Sequence, residues 1–335
     1  MEAAALRIEG LDPPLQPGQV LALLGLGAEA ALLALAGFAP ATNRLWLGER
    51  ELTALPPHRR GLATVLGEPG LFPALSVAEN IVWPLRCPAA ERPARLAAAL
   101  AALELEPLAQ RAASRLSPAQ AGRVALARAL AQQPGALLLQ EPFAALGAAE
   151  AEALALRLRE LGPPVVLATA RAPAALSAAH RLAALHQGQL LQAGTPAALY
   201  ARPADARVAA LTGEANFLPG TVLEAFDDEG RIRLEAGAVV EAMFATPLPA
   251  GARCQVMLRP EALAVAAVDP ASMGEGALAA TLVEAVFQGG QVRLRLALAG
   301  GATLLARRAA GLRLPALGEP CAVAWNTAHA LVFPA

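Results

Sequence analysis

Lysine is absent from this chain of 335 residues, so all 27 of its basic side chains are arginines. This excludes any site that depends on a lysine ammonium to reach a phosphate group. Cysteine is scarce: Cys87, Cys254 and Cys321 are odd in number and far apart, which predicts neither a disulfide framework nor a cysteine metal site. The four histidines are scattered along the chain, and no metal site is predicted from them.

Charged side chains make up only 16% of the chain and hydrophobic ones 56%, with a formal net charge of −1. A chain of this composition can bury a large core, and its length predicts two domains. The near-neutral charge gives no electrostatic reason to expect nucleic acid as a partner. The first residues lack a basic segment followed by an apolar one, so we expect no secretory signal.

One long apolar run imitates a membrane span. Residues 20–39 are almost continuously apolar, with Glu29 as the exception. Gly25 and Gly27 break the run in its middle, and no basic residues flank it. We therefore interpret it as a buried strand, a tight turn and a buried helix.

The pattern of predicted secondary structure changes part-way along the sequence. Up to Thr212, short apolar runs alternate with helical stretches, which predicts a parallel sheet in an α/β domain over residues 1–212. After Gly213, short strands and turn signals predict an all-β domain over residues 213–335. The predicted buried strands are Val20–Leu24, Leu62–Val65, Ala136–Leu139 and Val165–Ala168; the predicted helices are Ala90–Leu105, Pro118–Ala131 and Ala148–Leu161; the clearest hairpin turns are 227–230 and 289–290.

Residues 23–30 read LLGLGAEA, at the junction of a predicted strand and helix. A P-loop has four residues between its first glycine and its Gly-Lys pair, and the lysine reaches the β- and γ-phosphates of a nucleotide. Here one residue separates Gly25 from Gly27, so the loop is three residues shorter. Ala28 and Glu29 replace the lysine and the hydroxyl residue that follows it.

Several segments resemble, in the same order and at the expected spacing, the ATP-binding subunits of ABC importers. The segments are 61–65 (GLATV) and 71–81 (LFPALSVAENI), which resemble the region after the P-loop; 116–120 (LSPAQ) with 123–130, which resembles the signature motif and its helix; 137–143 (LLLQEPF), which resembles the Walker B strand; and 194–196, 213–220 and 258–261, which resemble the junction with a TOBE domain and that domain itself. The resemblance implies an α/β P-loop NTPase-like (ABC ATPase) domain followed by a small all-β OB-like (TOBE) domain.

That family implies a catalytic role for Glu141, nucleotide contacts for Gly25 and Gly27, and contacts from Ser117 and Gln120 to the nucleotide of a partner. It also implies ATP and Mg²⁺ as cofactors, a transmembrane permease subunit as partner, and a homodimer or a heterodimer with another nucleotide-binding subunit. The expected location is the cytoplasmic face of the cell membrane, as a peripheral protein. The β tail is similar to those of importers for ferric iron, polyamines or sulfate-type anions, and this chain does not specify the substrate.

The sequence departs from the family at its reactive positions. Gln140 takes the place of the aspartate that orients Mg²⁺, and a neutral amide is a poor ligand for a hard cation. Glu29 would place an anion beside the phosphates, and two like charges about 4 Å apart repel by about 4 kcal/mol at an effective dielectric near 20. Gly67, Gly147 and Ala170 replace the Q-loop glutamine, the D-loop aspartate and the switch histidine. ATP and Mg²⁺ are thus implied by resemblance only, and we expect no conventional MgATP complex.

The retained motif residues also have structural interpretations. Gly25 and Gly27 fit a tight turn between a strand and a helix. The segment 117–120 has the layout of a capping box, with serine at the N-cap, proline at the first helical position and glutamine at the third. Glu141 fits a catalytic residue, a relic or a contact with a partner.

Three functions are compatible with these residues. The leading hypothesis is a degenerate, non-hydrolysing pseudo-ATPase that acts as a scaffold or coupling subunit and docks on a permease near residues 71–81. The second is a divergent but active transport ATPase, so the sequence leaves enzymatic activity undecided. The third is a ligand-sensing regulatory module whose β domain binds a small anion or metal complex. Calorimetry with nucleotide separates the first two, and a gene neighbourhood without a permease would favour the third.

Overall fold

A computed structural model of the chain describes residues 4–41, 43–268 and 276–335. The chain divides into two compact units, Met1–Ala197 and Ala198–Ala335. The first unit is an α/β structure and the second is all-β apart from its first helical residues. This order of fold classes agrees with the one predicted from the sequence.

The strands of the first unit form two sheets. They are β1 (Leu6–Ile8), β2 (Leu11–Leu15), β3 (Val20–Gly25), β4 (Leu45–Leu47), β5 (Arg50–Glu51), β6 (Leu62–Val65), β7 (Ala136–Gln140), β8 (Val165–Ala168), β9 (Arg181–His186) and β10 (Gln189–Gly194). The larger sheet has the order β10-β9-β3-β8-β7-β6, in which only β10 and β9 are antiparallel. The smaller sheet, β2-β1-β4-β5, is antiparallel. Strands β3, β7 and β8 are almost wholly buried, as expected for a parallel sheet with both faces covered.

The helices of the first unit include the three predicted from the sequence, and the one predicted over Ala148–Leu161 ends at Leu158. They are α1 (Ala28–Ala36), α2 (Val77–Val82), α3 (Arg92–Ala102), α4 (Pro118–Leu130), α5 (Ala148–Leu158) and α6 (Ala172–Ala178), and α7 (Pro196–Ala201) spans the division between the units. The helix predicted over 90–105 is shorter. Ala89–Glu91 forms a separate 3-10 turn, and Glu104 has a left-handed backbone with φ of 54°.

The apolar run of residues 20–39 contains β3 and α1, separated by a turn at Leu26 and Gly27. The interpretation as a strand, a turn and a helix is therefore confirmed. Among the residues that the structure describes, no helix is both long and apolar enough to cross a membrane.

The second unit combines a barrel and an open sheet. Its elements are α8 (Ala206–Thr212), β11 (Asn216–Phe226), β12 (Glu229–Leu234), β13 (Val239–Phe244), β14 (Arg253–Leu258), β15 (Ala264–Ala267), β16 (Leu278–Phe287), β17 (Gln291–Leu298), β18 (Thr303–Ala309), β19 (Pro320–Ala324) and β20 (Ala330–Pro334). The closed barrel has the order β11-β12-β13-β20-β14, and the five-stranded sheet has the order β15-β19-β16-β17-β18. The two hairpin turns predicted from the sequence join β11 to β12 and β16 to β17.

The second unit begins ahead of residue 213, where the composition changes, and Arg259 gives the physical reason. Its guanidinium is buried and lies 4.1 Å from the centroid of the Tyr200 ring. Burial lowers the pKa of Arg259 from its ordinary value. Residues 200–214 are tied to the β strands because this one cation bonds to five of their oxygens. The acceptors are the carbonyls of Tyr200, Ala209, Gly213 and Glu214 and the hydroxyl of Thr212, at 3.0 to 3.2 Å.

The three cysteines are free thiols with different exposure. Cys254 and Cys321 are buried in the second unit, and burial raises the pKa of both thiols above the ordinary value. Cys87 is partly exposed in the first unit. Thiol reagents should therefore reach Cys87 first, because the other two are shielded and less often ionised.

His180 couples the stability of the first unit to pH. Its Nδ1 accepts a hydrogen bond from the backbone N–H of Val20 at 3.1 Å, which requires a neutral ring. Burial, and then the charge of Arg159, lower the pKa of His180 below its ordinary value. The unfolded chain then binds more protons than the folded chain once the pH falls below about 6.5. We expect neutral His180 to contribute to the free energy of unfolding above pH 6.5, and this contribution to be lost as the pH falls towards the pKa of His180 in the folded chain.

Urea unfolding at pH 7.5 and pH 5.5 measures this effect. The free energy of unfolding should fall by less than about 1 kcal/mol through this residue, because the ring is partly exposed. His180→Ala should be less stable at pH 7.5 and should lose less stability on acidification. An equal loss in both proteins would show that other groups cause the pH dependence.

Candidate functional site

Two glycines build the turn between β3 and α1. Gly25 and Gly27 have left-handed backbones, with φ of 103° and 93°. Gly27 also packs against a second turn, since a Cβ on this residue would lie 2.4 Å from the backbone nitrogen of Gly188. The N–H of Gly188 donates to the carbonyl of Leu26 at 3.2 Å. The tight turn and this close contact together account for both glycines.

Two polar side chains meet where β7 ends beside α1. Glu29 lies in the first turn of α1, where the helix dipole favours a carboxylate, and Gln140 is the last residue of β7. The Nε2 of Gln140 donates to Oε2 of Glu29 at 3.2 Å. The two positions that replace the P-loop hydroxyl and the Walker B aspartate are therefore bonded to each other.

Glu141 anchors the turn that follows β8. Its backbone is left-handed with φ of 46°, and its N–H donates to the carbonyl of Ala168 at 2.8 Å. Its carboxylate accepts one hydrogen bond at each oxygen, from Oγ1 of Thr169 at 2.8 Å and from the N–H of Ala170 at 2.6 Å. This arrangement fixes the ends of β7 and β8 relative to each other. It gives Glu141 a structural task that needs no nucleotide.

Arg171 joins the same two segments, and no sequence pattern predicts this role. Its N–H donates to Oγ1 of Thr169 at 3.1 Å. Its guanidinium donates to the carbonyl of Leu146 at 2.7 Å and to that of Ala144 at 3.3 Å. An arginine beside a strand end belongs to no motif, and its acceptors are backbone atoms whose position depends on the tertiary fold.

The signature-like residues begin α4. The hydroxyl of Ser117 accepts from the N–H of Gln120 at 3.2 Å, and Oε1 of Gln120 accepts from the N–H of Ser117 at 3.0 Å. The capping box predicted from the sequence is therefore present, with Pro118 as the first helical residue. Gly147 is the N-cap of α5, and its N–H donates to the carboxylate of Glu150 at 3.1 Å.

The predicted site residues thus fall into two groups. The first group lies at the carboxyl edge of the central sheet, because β8 pairs with both β3 and β7. The second group lies at the start of α4. The first group contains Gly25, Gly27, Glu29, Gln140, Glu141 and Ala170, and the second contains Ser117 and Gln120.

Comparison with known proteins places this geometry in a family. The ABC transporter family model matches residues 8–144, and the TOBE domain model matches residues 256–333. The spermidine/putrescine import ATP-binding protein PotA of Rubrobacter xylanophilus is 34% identical over 341 residues, which cover 97% of this chain and 89% of that protein. Its counterpart in Methylococcus capsulatus is 35% identical over 345 residues, which cover 98% and 88%. This chain belongs to the ATP-binding subunits of ABC importers.

A solved structure supports the fold of the first unit of this ABC importer subunit. The structure of cbiO1 from Clostridium perfringens, described as part of the ABC transporter complex cbiONQ, is similar with a TM-score of 0.54. It is 22% identical and covers 60% of this chain and 92% of its own. The importer subunit thus has an ABC ATPase fold followed by a β-rich TOBE domain.

The residues at the sheet edge do not fit the cofactors of the family. ABC ATPases use ATP and Mg²⁺, held by a lysine, a hydroxyl and an aspartate. This importer subunit has no lysine, and Glu29 directs a carboxylate towards Gln140 in place of the hydroxyl and aspartate pair. An anion there repels phosphate, and the amide supplies no charge for a hard cation. Within the described part of the chain, no group of three or more His, Cys, Asp or Glu residues is placed to hold a metal ion.

Proposed function

We propose that this importer subunit is a non-hydrolysing scaffold or coupling subunit on a membrane permease. The observation that carries the proposal is the hydrogen bond between Gln140 and Glu29, which joins two positions from which a phosphate and its metal would be held. Breaking this bond costs about 1 kcal/mol and leaves a carboxylate facing the phosphates. Glu141 adds support, because both of its carboxylate oxygens already accept hydrogen bonds from the turn after β8.

A pair of exposed aromatic rings supports the docking part of the proposal. Phe72 and Trp83 are 45% and 67% exposed, and their ring centroids lie 5.5 Å apart. Exposed apolar side chains in contact with each other are typical of interaction surfaces, and aromatic residues often dominate binding energy there. We define Phe72 and Trp83 as the aromatic platform. Its partner in this proposal is a cytoplasmic segment of the permease, which places the subunit on the cytoplasmic face of the membrane.

A partner must supply the energy for transport. Import against a gradient requires hydrolysis, and the site described above does not fit a nucleotide. We therefore favour a heterodimer with an intact nucleotide-binding subunit. In that heterodimer, Ser117 and Gln120 would face the nucleotide of the partner. A homodimer would carry two identical sites of this kind and would need another source of energy.

The names of the relatives suggest a first substrate to test. The proteins from Rubrobacter xylanophilus and Methylococcus capsulatus are named for spermidine and putrescine import. Polyamine uptake is therefore the first transport assay in which to compare cells with and without this subunit. The substrate is selected by the permease and its binding protein, so other permeases remain to be compared in the same assay.

The second candidate is a divergent but active transport ATPase, and the names of the same relatives favour it. Calorimetry at millimolar MgATP separates the two candidates. We expect no heat of binding and no phosphate release from the purified subunit. A relative with an intact P-loop, purified in parallel, should show both and serves as the control.

Glu141→Gln makes the test sharper. In an active ATPase this change removes the general base, whereas here it replaces an acceptor oxygen with an amide nitrogen that faces a donor. We expect unchanged nucleotide assays and a free energy of unfolding lower by about 1 to 2 kcal/mol. Turnover that depends on Mg²⁺ in the original chain and disappears in Glu141→Gln would establish the active ATPase instead.

A further inference from the structure

The aromatic platform depends on a loop that has no regular secondary structure. Residues 69–76 connect the region after β6 to α2, and they carry Phe72. Irregular backbone of this kind holds one conformation only where its polar groups find fixed partners. Two side chains from two different helices supply those partners.

Asn80 holds the loop from the side of α2. It is fully buried, with 0% of its surface exposed. Its Oδ1 accepts from the N–H of Phe72 at 2.8 Å, and its Nδ2 donates to the carbonyl of Phe72 at 3.1 Å. Nδ2 also lies within hydrogen-bond distance of the carbonyls of Ser76 at 3.0 Å and Leu75 at 3.3 Å. One amide therefore fixes both backbone polar groups of the residue that carries the exposed ring.

Arg128 holds the same loop from the side of α4. Its Nη1 donates to the carbonyl of Gly70 at 2.8 Å and its Nη2 to the carbonyl of Pro69 at 2.7 Å. Burial lowers the pKa of Arg128 from its ordinary value, as expected for a guanidinium partly withdrawn from water. Arg128 lies on α4, whose N-cap is Ser117, so this contact connects α4 to the backbone just before Phe72.

The segment that precedes α4 closes the other side of the loop. The N–H of Val77 donates to the carbonyl of Arg111 at 3.0 Å, and the N–H of Ala113 donates to the carbonyl of Leu75 at 2.9 Å. These backbone bonds fix the loop, while the rings of Phe72 and Trp83 stay exposed. None of the contacts involves the residues at the sheet edge, so the loop can be held without nucleotide.

We propose that Asn80 and Arg128 are positioning residues that set Phe72 against Trp83 and link the aromatic platform to α4. The proposal rests on the docking function proposed above. It adds how a subunit that binds no nucleotide keeps its docking surface in a fixed position relative to α4. Neither side chain needs to touch the partner.

The first experiment is ¹⁹F NMR on the full chain labelled with 5-fluorotryptophan. The chain has three tryptophans, and the resonance of Trp83 is the one missing from Trp83→Phe. Asn80→Asp keeps the shape and one acceptor but loses both donors, and Arg128→Met keeps the apolar stem but loses the guanidinium. Both variants should move the chemical shift of Trp83 in the same direction as Phe72→Ala does, or should broaden the resonance. The matched controls, Asn326→Asp and Arg95→Met, should leave it unchanged.

The second experiment measures docking by co-purification of the tagged subunit with its permease from detergent-solubilised membranes. Phe72→Ala and Trp83→Ala should weaken capture about tenfold. Asn80→Asp and Arg128→Met should have the same effect, because a displaced ring loses its interface contacts. Capture is compared at a temperature where every variant is folded. If Asn80→Asp does not fold, Arg128→Met alone decides.

The outcomes separate this inference from the proposed function. An unchanged Trp83 resonance in Arg128→Met would overturn the positioning role, whatever happens to docking. A shifted resonance with undiminished capture would overturn the link between the loop and docking. If Phe72→Ala and Trp83→Ala themselves leave capture unchanged, the docking surface is wrong, while the NMR result still decides whether Asn80 and Arg128 position the rings.

Discussion

Ala28→Lys is expected to gain neither MgATP binding nor hydrolysis. The substitution supplies one cation at the first residue of α1, where the P-loop lysine would stand. The loop stays three residues shorter than a P-loop, as the single residue between Gly25 and Gly27 shows. Glu29 and Gln140 also stay bonded to each other. Calorimetry and a phosphate-release assay at millimolar nucleotide measure the result.

A combined variant serves as the positive control, because it is expected to bind MgATP. It carries three residues inserted after Gly25 together with Ala28→Lys, Glu29→Ser and Gln140→Asp. We expect it to bind MgATP with a dissociation constant below about 1 mM, which corresponds to a free energy of about −4 kcal/mol. The same variant with Gln140 retained should bind more weakly when Mg²⁺ is present. Clear ATPase activity from Ala28→Lys alone would show that the argument from loop length is wrong.

Arg259→Met is expected to lower the free energy of unfolding of the second unit by about 3 to 5 kcal/mol. The substitution keeps an apolar stem but leaves the carbonyls of residues 200–214 without their donor. A buried acceptor without a donor costs about 1 to 3 kcal/mol, and several carbonyls lose the donor that Arg259 provides. The stacking on Tyr200 is lost as well. Urea unfolding followed by a probe in the second unit measures the change.

Arg295→Met is the matched control, because Arg295 is half exposed and pairs with Glu284 on the neighbouring strand. Exposed ion pairs contribute about 0 to 1 kcal/mol, so this variant should unfold near the original midpoint. Equal effects of the two substitutions would mean that burial of Arg259 contributes nothing beyond a surface ion pair.

The sequence predicts most of the central sheet because its strands are apolar runs too short for helices. β6 and β8 have the bounds expected from Leu62–Val65 and Val165–Ala168. The start of α4 is equally predictable, since a capping box uses only side chains three residues apart. Local rules therefore suffice where the partners of a residue lie nearby in the chain.

The chemistry of the sheet edge is less predictable, because its partners are distant in sequence. Glu29 and Gln140 are 111 residues apart, and they meet only because β7 comes to lie near α1 in the folded sheet. Substitutions at these two positions are visible in the sequence, but the bond between them is not. The roles of Arg171 and Arg259 are even less predictable, because most of their acceptors are backbone carbonyls, which no sequence motif identifies.

The unequal exposure of the three thiols has a practical use. Cys87 follows Trp83 by four residues, and the other two cysteines are buried. A maleimide dye applied under native conditions should therefore label the original chain at Cys87, four residues after Trp83 of the aromatic platform. Fluorescence anisotropy of that dye would report the arrival of a permease in real time, without any engineered cysteine. The same label could count how many copies of the subunit sit on each transporter.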